Sequence, residues 1–61
     1  MEKIKLEDLR VGDRVYYIPQ HLEPIQENSE EGYVTTIKDN KIWVRYRGPQ
    51  GNQTPGNMLY K

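Results

Sequence analysis

The chain has 61 residues, no cysteine, and nine basic side chains against nine acidic ones. That length holds one domain, residues 1–61, which hides only about 60% of the surface its unfolded form exposes, and no disulfide or thiolate zinc site is available to reinforce it. Zero net charge excludes a whole-molecule pull toward phosphate or anionic lipid, and no apolar run approaches the roughly 20 residues that cross a bilayer. The opening Met1-Glu2-Lys3-Ile4-Lys5-Leu6 lacks the hydrophobic stretch of a signal peptide, so a soluble, cytoplasmic protein is expected.

Leu6-Glu7-Asp8-Leu9 sets two leucines three apart, which brings both to one side of a single 3₁₀ or helical turn that lids the core. Gly12-Asp13 then reads as a tight entry to a first strand over Val11–Ile18. In that strand Val15 and Tyr17 face inward, and Arg14, Tyr16 and Ile18 face outward. Pro19 ends ladder formation. From Pro19 to Glu31, two prolines and four glutamates follow no period of 2 or 3.6, and a long surface loop is expected.

The run from Gly32 to Gly48 holds most of the strand formers, folded about Asp39-Asn40. Both residues tolerate the positive φ of a two-residue hairpin turn. An unbroken register sets Lys38 against Lys41, Ile37 against Ile42, Thr35 against Val44 and Tyr33 against Tyr46. Val34 fits that scheme badly. A β-bulge near Thr35-Thr36 turns both Val34 and Ile37 inward and supplies the bend a small barrel needs. Gly48-Pro49-Gln50-Gly51-Asn52 is a turn leading to a short piece around Gln53–Pro55. A closing turn over Asn57–Tyr60 then returns Met58 or Leu59 to the core beside Leu9.

This order of a strand, a long loop, a two-strand meander, a Gly/Pro turn and a short closing strand resembles the SH3-like barrel in its Tudor or KOW style. The carriers are Val11-Gly12-Asp13-Arg14-Val15, Gly32-Tyr33-Val34 and Ile42-Trp43-Val44-Arg45-Tyr46. The expected fold is all-β, a small SH3-like barrel of four to five antiparallel strands with short 3₁₀ turns. The chain is more closely similar to short uncharacterised proteins encoded by phages and prophages. These share a strand ending in Pro-x-His, a polar loop, and Glu-x-Gly-x-Val, here Pro19-Gln20-His21 and Glu30-Glu31-Gly32-Tyr33-Val34. That resemblance implies a mobile-element origin. Members often carry further His and Cys residues in the loop, whereas Leu22–Ser29 here has neither, so no loop metal site is expected to carry over.

Three constellations bear on function. Tyr16, Tyr17, Tyr33, Trp43 and Tyr46 supply rings for a Tudor-type aromatic cage, although a chain without Phe also needs Tyr to fill its core, which is the favoured use. Trp43 with Lys41, Arg45 and Arg47 falls on one strand face, where a base stacks on the indole while cations neutralise phosphates. Alternatively, the 19–31 loop covers Trp43, with Arg45 paired to one of the loop glutamates. His21 near Glu23, Glu27, Glu30 and Glu31 offers one imidazole only, too few nitrogen ligands for zinc and no calcium-loop spacing, so no metal is expected.

A single serine, Ser29, no cysteine and no Gly-rich phosphate loop argue against an enzyme, and no cofactor is expected. The reading is a non-catalytic binding module of phage or prophage origin. It contacts a host or phage protein through Tyr16, Trp43 and His21. The alternative is sequence-tolerant nucleic-acid binding through Lys41, Trp43, Arg45 and Arg47. No membrane partner is expected.

Overall fold

A computed structural model describes residues 1–61 and is all-β. The strands are β1 (Arg14–Tyr17), β2 (Glu30–Lys38), β3 (Lys41–Arg45), β4 (Asn52–Thr54) and β5 (Leu59–Tyr60), with single 3₁₀ turns at Leu6–Asp8, Gln26–Asn28 and Gly56–Met58. All pairings are antiparallel in the order β4-β3-β2-β1-β5. The sheet curls into a half-barrel compatible with a small SH3-like barrel.

The β2–β3 hairpin closes through Asp39 (φ 52°) and Asn40 (φ 63°), both in the left-handed region that a tight, right-twisting hairpin turn requires. Beyond the turn, Lys38 pairs with Lys41 and Ile37 with Ile42. The register then slips between Val34 and Thr36, so that Thr36 faces Trp43, Val34 faces Val44 and Tyr33 faces Arg45. The bulge expected near Thr35-Thr36 is thus present, and the unbroken pairing of Thr35 with Val44 and Tyr33 with Tyr46 does not form. The bulge buries Val34 beside Val44 and leaves Thr35 free to donate its hydroxyl to the Trp43 carbonyl at 3.2 Å.

Leu9, Val15, Val34, Ile42, Val44 and Leu59 form the core inside the curl, with Ile4, Leu6, Tyr17, Ile37 and Tyr46 packed on its margin. Gly32 is part of this packing. A Cβ there would lie 2.6 Å from Val44 Cγ1 and 2.8 Å from Tyr46 Cδ1, so the absent side chain is what lets the Tyr46 ring cross the strand. Tyr46 then meets Tyr17 edge to face, with ring centroids 6.0 Å apart.

Two expectations are corrected. Strand β2 begins at Glu30, not Gly32, because Glu30 and Glu31 complete the ladder to Tyr17 and Tyr16. Ile18 is buried rather than outward: the β1 ladder stops at Tyr17, and the Ile18 N–H donates to the Met58 carbonyl at 3.0 Å as the chain turns toward Pro19. At the β5 edge, Glu2 and Lys61 exchange two backbone hydrogen bonds and the Ile4 N–H donates to Leu59 O, which covers an otherwise open strand.

Candidate functional site

Residues paired across an antiparallel ladder share a face of the sheet. Because Val15, Val34, Ile42, Val44 and Leu59 point into the core, the intervening residues define the outer face. It carries four rows: Tyr60, Tyr16 and Glu31; Arg14, Tyr33 and Arg45; Thr36, Trp43 and Gln53; and Lys38 with Lys41. Tyr33 is 43% exposed, and an arginine stands on either side of it. Trp43, half-buried, is its diagonal neighbour on β3, next to the bulge.

The face is cationic although the chain is neutral. Its rows hold Arg14, Arg45, Lys38 and Lys41 against a single carboxylate, Glu31. Arg14 Nη1 lies 3.5 Å from Glu31 Oε2, whereas Arg45, Lys38, Lys41 and Arg47 make no ion pair. The expected pairing of Arg45 with a loop glutamate is therefore corrected: Glu31, drawn into β2 on this face, pairs with Arg14 on β1 instead. Charge accumulates here because Glu30 pairs with Tyr17 and so faces the opposite side, and Glu23 and Glu27 stay in the loop.

Of the residues singled out from the sequence, Lys41, Trp43 and Arg45 share this face. Arg47 follows β3 in an exposed bend just past its end. Tyr16 is on the same face but is separated from Trp43 by the Arg14–Tyr33–Arg45 row. His21 is exposed in the loop and is not brought to the sheet. The loop hydrogen bonds are local, among them Leu22 N–H to Pro19 O and Ser29 Oγ to Gln26 O, and none joins it to Trp43. Its inner side, with Tyr17, Pro19, Leu22 and Glu27, lines an open hollow of about 330 Å³.

The five rings do not converge into a cage. Tyr17 and Tyr46 are on the core side and Tyr16, Tyr33 and Trp43 on the outer side, because strand alternation separates them. Nor do His21 and the neighbouring glutamates gather into a group of three that would hold a metal ion. Tyr46 serves the core. Thr54 gives its hydroxyl proton to the Asn52 carbonyl at 3.2 Å, so the Tyr46 hydroxyl donates to Thr54 Oγ1 at 2.9 Å. Burial pushes the Tyr46 phenol above its ordinary pKa.

Two members of this face fall outside the charged-strand reading of the sequence: Arg14, which no candidate site includes, and Tyr33, which enters only as a ring of the aromatic cage. Alternation alone sets Arg14 outward. Its position beside Tyr33 depends on the β1–β2 register across the long loop, for which the chain carries no local signal. Tyr33 stands opposite Arg45 only once the bulge is counted. Compared with protein-family models, with curated proteins and with solved structures, the chain gives no match in any of the three.

Proposed function

We propose that the protein is a non-catalytic binding module that holds single-stranded nucleic acid on the outer face of its sheet, without reading base sequence. The carrying observation is the Arg14–Tyr33–Arg45 row with Trp43 diagonal to Tyr33. The exposed Tyr33 ring and the open part of the half-buried Trp43 ring offer a base a stacking partner at about 1 to 3 kcal/mol, and every base has a face to stack. The arginines and Lys41 meet the phosphates between them. With zero net charge there is little long-range attraction, so binding is modest in strength and confined to this face.

The test is Trp43 fluorescence during titration with short oligothymidine and oligouridine at low salt. Quenching that fades as salt rises, and that weakens when Tyr33 or Arg45 is changed to Ala, is expected. An unchanged spectrum at low salt removes the proposal.

A second reading, contact with a host or phage protein, is favoured by Leu22 and Ile25, which are 40% and 41% exposed on the loop that carries His21. It accords with the phage or prophage origin that Pro19-Gln20-His21 and Glu30-Glu31-Gly32-Tyr33-Val34 support. The loop and the outer face are separate surfaces, so loss of partner capture by Leu22→Ser with oligonucleotide binding unchanged would assign the protein contact to the loop.

A further inference from the structure

We infer that Glu31 is a built-in competitor for the nucleic-acid phosphate, holding Arg14 in a displaceable ion pair and thereby setting how tightly the outer face binds. This inference rests on the nucleic-acid reading above and adds a residue that limits it. Glu31 and Tyr33 are two apart on β2 and share the outer face, while Arg14 stands directly opposite Tyr33 on β1. The Glu31 carboxylate therefore reaches along the ladder to Arg14, with Nη1 and Oε2 3.5 Å apart.

Of the cations on this face, Arg14 alone is engaged in this way. Arg45, on the other side of Tyr33, has no carboxylate partner. Tyr33 thus stands between one arginine already occupied by an anion and one that is free. The Arg14 and Glu31 side chains are 60% and 48% exposed, so their pair is solvated and readily exchanged. A ligand with a base stacked on Tyr33 places a phosphate near Arg45 without competition. To use Arg14 as well, it must displace Glu31 and accept a carboxylate nearby.

Glu31→Gln removes the charge and keeps the shape. The control is Glu30→Gln, which makes the same change in net charge one residue away on the opposite face. With oligothymidine as the probe, Glu31→Gln is expected to tighten binding about fivefold at low salt. It should also steepen the plot of log affinity against log salt by about 0.7, the release expected from one further phosphate contact on a single strand. Glu30→Gln is expected to leave the slope unchanged and to alter affinity less. Equal effects of the two variants would mean that net charge alone is acting and would overturn the inference, as would unchanged binding by Glu31→Gln while the wild type binds. No binding by wild type and variants alike would remove the underlying nucleic-acid reading as well. Thermal melts of both variants confirm that each is folded at the titration temperature.

Discussion

Tyr46 shows how one side chain links packing, hydrogen bonding and pH. Its ring rests where Gly32 has no Cβ and packs edge to face with Tyr17, and its hydroxyl donates to Thr54. Since burial raises its folded-state pKa, the neutral phenol is favoured in the native protein. The stability this confers is complete below the unfolded value of about 10 and is lost as pH rises through that value toward the folded one. Tyr46→Phe should cost about 1 kcal/mol at neutral pH through the lost hydrogen bond. It should also flatten the alkaline fall in Tm, because the ionising group is gone. Thermal melts of both proteins across the alkaline range check this, and parallel curves would show that Tyr46 is not the group responsible.

The β2–β3 hairpin is the element on which the outer face depends, since its register decides which side chains stand beside Trp43. With Asn40 at φ 63°, glycine suits the turn and a β-branched residue does not. Asn40→Gly should preserve or slightly raise stability, and Asn40→Val should lower it by about 1 to 2 kcal/mol. Urea midpoints at unchanged m-value measure both effects, and a Val variant as stable as the wild type would contradict the turn geometry. This hairpin was also the most legible part of the chain. Asp39-Asn40 marked the turn, and the misfit of Val34 in an unbroken register pointed to the bulge. Other features were hidden for identifiable reasons. Glu30 and Glu31 are residue types depleted in strands, and they enter β2 only because Tyr16 and Tyr17 supply a ladder across the loop. Ile18 follows the outward phase of β1 in sequence, yet it is buried where the strand stops and the backbone turns to Met58. The site was half legible for the same reason: alternation within β3 grouped Lys41, Trp43 and Arg45, whereas Arg14 and Tyr33 joined them through pairings between strands.

For the whole molecule, the small core sets the margin within which any surface function operates. A domain of this length has a total stability of about 3 to 9 kcal/mol, and it rests on six core residues. Ile42 is 2% exposed, pairs with Ile37 and Thr54, and lies under the Gly56 turn, so truncating it leaves a cavity among several elements at once. Ile42→Ala should cost about 2 to 5 kcal/mol, comparable to the entire margin, and a chain without a cooperative melting transition is expected. Ile42→Val should cost only about 0.5 to 1.5 kcal/mol and remain folded. Core and outer face alternate along the same strands, so a core change alters Tm without altering what the exposed rings and arginines present. Below its melting temperature, Ile42→Val should therefore bind oligothymidine as the wild type does. Arg45→Ala, by contrast, should weaken binding at an unchanged Tm. Paired melting and titration measurements on these two variants test that separation. A loss of binding by folded Ile42→Val would mean that the core geometry, and not the outer-face side chains alone, determines affinity.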